Sequence, residues 1–166
     1  MVAATVSVQG LNHATLIVDD LDKARAFYSG VLGLQEVPAY AFDYPVMFYR
    51  LPDGRQLHIS EWPDRPSFRG HVALEVADFN VAFRAFKGMG IIDVSPWGRV
   101  RRLQDGTMQM FIRDPAGNLV EISQRPGVPV DPEVTADPLF DPEPVFRSGR
   151  GDGRGVRGQD ATLYRG

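Results

Sequence analysis

The stretch running from Pro52 to Val76, PDGRQLHISEWPDRPSFRGHVALEV, decides how this chain is read. It carries two of the three histidines, His58 and His71, at either end of a short Pro-rich connector. The residues before it and the residues after it, up to Arg125, form two copies of one pattern. With His13 laid over His71, HATLIVDD (13–20) falls on HVALEVAD (71–78). Leu16, Val18, Asp20, Ala24 and Gly30 then fall on Leu74, Val76, Asp78, Ala82 and Gly88. Toward the end of each copy PDGRQLHIS (52–60) matches PAGNLVEIS (115–123), which sets His58 over Glu121. A lone strand histidine is more often a hydrogen-bonded core or edge residue than a ligand, and a lone Glu on an alternating strand usually faces solvent. Here His13 pairs with His71, His58 pairs with Glu121, and no histidine lies elsewhere. That joint pattern points to a metal site.

Composition narrows the chemistry. The 166 residues suffice for one medium domain or two small modules sharing a core. A formal net charge of −3 argues against a nucleic-acid binder, which would present a basic face. With no cysteine, disulfides, thiolate metal sites and a cysteine nucleophile are all excluded. Metal ligands must come from His, Asp and Glu, a set that suits catalytic rather than structural sites. The opening MVAATVSVQG has neither a basic start nor a sustained apolar run, so no signal peptide or membrane anchor is expected and the cytoplasm is the expected compartment.

Local patterning gives each copy the same order of elements. Leu11 to Val18 reads as a strand, Asp19 or Asp20 as an N-cap, and Leu21 to Leu32 as a helix stopped by Gly33. Strands are expected at Gln35–Tyr40, Val46–Arg50 and, after the Pro52-Asp-Gly turn, Gln56–Ser60. In the second copy a strand at Val72–Val76 leads to Asp78, which caps a helix ending at Gly88 or Gly90. Strands are then expected at Val94–Gln104, Thr107–Arg113 and Asn118–Ser123, with Asp105-Gly106 as a hairpin signal. The expected fold class is α+β: two βαβββ modules forming a curved mixed sheet around a metal cleft, helices outside. Alternation puts Leu57 and Ile59 on one face and His58 on the other, and opposes Val120 and Ile122 to Glu121. The aliphatic faces should meet the helices, leaving the His/Glu faces for chemistry.

These residues resemble the vicinal oxygen chelate superfamily, which includes glyoxalase I, methylmalonyl-CoA epimerase, extradiol dioxygenases and the fosfomycin and bleomycin resistance proteins. The resemblance runs from Gln9 to Gln124 and rests on LNHA (11–14), the helix DDLDKARAFYSGVLGL (19–34), GHVALEV (70–76) and DPAGNLVEI (114–122). It implies paired modules, a divalent cation (Fe, Ni, Zn, Co or Mn) and, usually, a homodimer acting on a small molecule. His13, His71 and Glu121 match the family's first-, fifth- and eighth-strand ligands. His58 stands at the fourth-strand position, where the family's glyoxalases and epimerases carry Glu or Gln, so it either ligates or serves as base or acid. The expected metal set is therefore His13, His58, His71 and Glu121, with Glu121 and His58 as catalytic groups. Glyoxalase I-like lyase or isomerase chemistry is the first reading. An Fe(II) extradiol dioxygenase is the second, because His13, His71 and Glu121 form a two-His-one-carboxylate set. A non-catalytic binding protein of the bleomycin-resistance type is the third.

Substrate contacts are expected from Tyr40, Phe42 and Tyr49 in the first module and from Met108 and Arg101 in the second. The domain is placed at 1–125, with repeats at 10–62 and 69–125. Residues 126–166, rich in Pro, Gly and Arg, are read as an extended arm and a flexible tail, whose Leu139, Phe140, Val145 and Phe146 could dock on a module or a partner subunit. The Arg150-Gly-Asp152 tripeptide is read as chance. No nucleic-acid or membrane partner is expected.

Overall fold

The computed structural model describes residues 11–64 and 66–142. The chain divides into two compact units, Met1–Pro66 and Ser67–Gly166, parting within the Pro-rich connector. The α+β class is as expected, with a separate mixed sheet in each unit. No helix among the described residues is long and apolar enough to cross a membrane.

In the first unit β1 (His13–Val18) leads into α1 (Leu21–Arg25). The Asp20 carboxylate accepts from the Lys23 N–H at 3.0 Å, satisfying one of the orphan donors of the first turn. After Arg25 the helix widens into a π-helical segment, Ala26–Val31, in which the adjacent rings of Phe27 and Tyr28 are both buried. Then come β2 (Gln35–Val37), β3 (Val46–Arg50) and β4 (Gln56–Glu61), in the sheet order β1-β4-β3-β2. β1 and β4 run parallel, and the other pairings are antiparallel.

The second unit repeats this plan. β5 (His71–Glu75) precedes α2 (Phe79–Met89), which is capped by Asp78 through the Asn80 and Val81 N–H groups. Gly90 closes α2 in the left-handed conformation at φ 68°, which a residue with a Cβ adopts only at a cost. β6 (Val100–Arg102), β7 (Met108–Arg113) and β8 (Leu119–Gln124) complete the order β5-β8-β7-β6. Phe79, Phe83 and Phe86 are buried, as are Ile112, Val120 and Ile122 of the sheet. Each such side chain contributes roughly 1.5–3 kcal/mol by leaving water. The Phe79 N–H donates to Gln124 Oε1, which marks the face of β8 carrying Val120, Ile122 and Gln124 as the one toward α2.

Two departures from the sequence expectations affect the site. The strand expected over Val94–Gln104 is cut to three residues by a turn: Asp93 accepts from the Ser95 N–H, the Gly98 N–H returns to Val94 O, and Gly98 sits at φ 90°. The arm beyond Arg125 also carries regular structure. A helical turn, α3 (Pro132–Thr135), precedes a short strand, β9 (Phe140–Asp141), which pairs in parallel with β6. Asn80 clamps the arm through Pro129 O and the Asp131 N–H, Arg84 pairs with Asp131, and Lys87 pairs with Asp137. Val145, Phe146 and the Arg150 to Asp152 tripeptide lie outside the described residues.

Candidate metal and substrate site

The repeat places the first two expected ligands on neighbouring parallel strands. Thr15 is the register partner of His58, so His13 stands two residues before it on the same face. The His13 and His58 rings stack, with centroids 4.3 Å apart and planes 17° from parallel. On the next strand Phe48 is the register partner of His58, and its ring lies against the imidazole at 3.6 Å and 5°. His58 is therefore layered between an aromatic ring and a second imidazole. Burial, then the proximity of His13, holds its pKa below the usual histidine range. Gln56 Oε1 lies 2.9 Å from His58 Nε2, and Asn12 Oδ1 lies 2.7 Å from His13 Nδ1. Each contact fixes a ring orientation and leaves the other ring nitrogen to carry the lone pair of the neutral form.

The second unit builds the counterpart by the same register. Ala73 is the partner of Glu121, and His71 stands two residues before Ala73. His71 Nδ1 lies 2.9 Å from Arg69 O, an acceptor-only group, so this nitrogen carries a proton. His71 Nε2 then faces Glu121 Oε2 at 3.2 Å. A set of polar contacts upstream holds Arg69 and His71 in place. Arg113 donates to Phe68 O and Gly117 O while pairing with Asp93 at 2.7 Å, and Ser67 Oγ accepts from the Gly70 N–H. Phe111, the β7 partner of Glu121, meets the His71 ring edge-on at 5.2 Å, with Trp97 at 6.2 Å.

The His71 and Glu121 pair has the chemistry to ligate a divalent cation. Glu121 is 4% exposed, and its Oε1 is buried with no hydrogen-bond partner among the described residues, a costly state for a carboxylate oxygen unless it has a charged partner. With Nδ1 protonated, His71 Nε2 and Glu121 Oε2 direct lone pairs at one another unless a proton or cation lies between them. Holding the remote imidazole nitrogen on a backbone carbonyl is also how metal-ligating histidines are oriented. Within the described residues the donors are gathered as pairs, and no group of three or more His, Asp or Glu side chains is assembled.

The expected substrate contacts divide by strand face. Tyr40 and Phe42 are exposed and form an aromatic cluster with Tyr44, Trp62 and Phe48, running up to His58. Tyr49 lies on the opposite face of β3, wholly buried beside Tyr28, with its hydroxyl 3.3 Å from Ser29 Oγ. Met108 is likewise buried on the α2 side, opposite Gln124. Both side chains are buried on the helix side of their strands. Arg101 shares the Glu121 face but is 4% exposed and donates to Trp97 O. The residue that sequence reasoning missed is Phe48. Antiparallel pairing of β3 with β4 through the Pro52-Asp-Gly turn puts it opposite His58, and that register was available from the turn.

The sequence model of the Glyoxalase/Bleomycin resistance protein/Dioxygenase superfamily matches residues 10–122. The chain belongs to this superfamily. Within the superfamily the chain is similar to methylmalonyl-CoA epimerase of Homo sapiens mitochondria, 30% identical over 128 residues that cover 69% of this chain and 73% of that protein. It is also similar to the metallothiol transferase FosB of Shouchella clausii, 29% identical over 119 residues covering 69% and 80%. Among solved structures, lactoylglutathione lyase from Agrobacterium tumefaciens superposes with a TM-score of 0.53 at 25% identity, over 70% of this chain and 91% of that one. The superfamily relatives named here are enzymes, and they span lyase, epimerase and transferase chemistry.

Proposed function

We propose that the chain is a divalent-metal enzyme that moves a proton next to a carbonyl in a small substrate with neighbouring oxygens, in the manner of a glyoxalase I-type lyase or isomerase. His13, His71 and Glu121 are the residues that would hold the cation. The observation carrying this reading is the buried Oε1 of Glu121, without a hydrogen-bond partner among the described residues, beside an oxygen that faces a pre-oriented His71. When bound, the cation supplies positive charge to two adjacent substrate oxygens.

The chain's own residues do the rest. His58, kept neutral by burial and by His13, accepts the proton from the carbon beside the carbonyl while the C–H electron pair moves toward the carbonyl oxygen. The imidazolium so formed returns the proton to the same carbon in an epimerisation, or to the former carbonyl carbon in an isomerisation, in which the hydroxyl proton passes from one substrate oxygen to the other. Gln56 steadies the ring through Nε2, which leaves Nδ1 for the transfer. Tyr40, Phe42 and Phe48 give an apolar surface for the body of the substrate and shield His58 from water.

The second reading, an Fe(II) dioxygenase, is favoured by the two-His-one-carboxylate character of His13, His71 and Glu121. Proton transfer predicts deuterium uptake from heavy water beside the carbonyl of α-oxo hemithioacetals or 2-methyl-branched thioesters. Oxygen consumption with catechols, without such uptake, would give the site to the dioxygenase.

A further inference from the structure

The buried Arg101 does not belong to the family pattern of ligands, and the arm that reaches it lies outside the repeat. Arg101 stands in β6 opposite Gln109, which itself stands opposite Ser123 of β8, so its side chain shares the face that carries Glu121. It is 4% exposed. Its guanidinium donates to Trp97 O and packs so closely on the 94–98 turn that a Cβ on Gly98 would stand 3.0 Å from Nη2. Burial pushes the Arg101 guanidinium below its usual pKa, and the negative charges of Asp141 and then Glu121 oppose that. Asp141 comes from β9 and is the register partner of Arg101. A buried guanidinium with a single carboxylate in reach would form a charge-assisted pair with it, and with Glu121 as that carboxylate its oxygens would be lost to a cation.

We infer that Asp141, delivered by the C-terminal arm, is a positioning residue that engages Arg101 and so keeps Glu121 available as a metal ligand. This rests on the metal reading above. The arm's anchoring supports it: Asn80, Arg84 and Lys87 of α2 fix residues 129–137, and Arg99 donates to Pro138 O directly before β9. The segment from Pro129 to Asp141 is thus held at both ends so that its last carboxylate meets β6.

The test is Co(II) binding to the full chain, measured by calorimetry and by the visible ligand-field bands of the bound ion, in wild type, Asp141→Asn, Asp141→Glu and the double variant Arg101→Met/Asp141→Asn. Asp141→Asn is expected to weaken Co(II) binding by roughly 10- to 100-fold and to alter the bands, since Glu121 is drawn to Arg101. Asp141→Glu restores binding toward wild type. The double variant also recovers it, because the competing cation is gone. Thermal unfolding of the metal-free proteins reports separately on anchoring of the arm. Unchanged Co(II) affinity in Asp141→Asn, or a double variant as weak as the single, overturns the inference while leaving the metal site standing. A wild-type chain that takes up no Co(II) overturns the metal reading and this inference together.

Discussion

The His58 imidazole lies flat on the Phe48 ring, with centroids 3.6 Å apart and planes 5° from parallel. That contact removes water from one face of the imidazole, and His13 occupies the other. Replacing Phe48 with Ala is therefore expected to raise the His58 pKa toward its ordinary value of 6.5, measured by NMR titration of the ring proton between the nitrogens. A His58 pKa unchanged by the substitution would show that Phe48 plays no part in the desolvation.

The same shift makes stability depend on pH. Above the unfolded value neither state holds the His58 proton, and stability is at its full level. As pH falls through 6.5 the unfolded chain takes up the proton first, so stability is lost until the depressed folded pKa is reached. Denaturant unfolding at about pH 7.5 and about pH 5.5 should show a smaller loss on acidification in His58→Gln than in wild type.

Parity made the aliphatic face and the His/Glu face of each sheet legible from sequence, because Leu57 and Ile59, or Val120 and Ile122, alternate cleanly with His58 and Glu121. Inside β3 the signal failed. Val46 to Arg50 is almost wholly apolar or aromatic, so composition alone does not tell Phe48 from Tyr49, and only the pairing with β4 separates them. The strand over Val94–Gln104 was overextended because side-chain capping by Asp93 and the left-handed Gly98 outweigh the β propensity around them. The order in the arm rests on tertiary partners, chiefly Asn80 of α2 and the edge of β6, which low local hydrophobicity does not announce.

Tyr49 and Phe48 should accordingly behave as opposites. Tyr49→Phe loses the hydroxyl contact with Ser29 and is expected to cost about 1 kcal/mol of stability with turnover unchanged. Phe48→Leu, with a smaller and unstacked side chain, should lower turnover more than it lowers the unfolding midpoint. Paired chemical denaturation and steady-state kinetics separate the two.

Arg113 braces the segment that leads into His71. Its guanidinium joins Asp93, Gly117 O and Phe68 O, and its proximity figures in the pKa of Asp93. Burial pushes that carboxyl upward, but hydrogen bonds from Arg113 and Ser95 outweigh this and hold it below the usual carboxylate range. Arg113→Met should cost about 2–4 kcal/mol, since charged hydrogen bonds are lost and Asp93 is left partly buried. It should also loosen the 66–70 segment, visible as faster amide exchange at Gly70 and His71.

The proposed function requires that His71 and Glu121 hold a divalent cation together with His13, and metal content per chain tests this most directly. Wild type, His58→Ala, His71→Ala and Glu121→Ala, all purified without an affinity His tag, are reconstituted and assayed by elemental analysis. The expected result is near-stoichiometric metal in wild type and in His58→Ala, with loss in His71→Ala and Glu121→Ala. Absence of metal from reconstituted wild type, or full retention in Glu121→Ala, would contradict it.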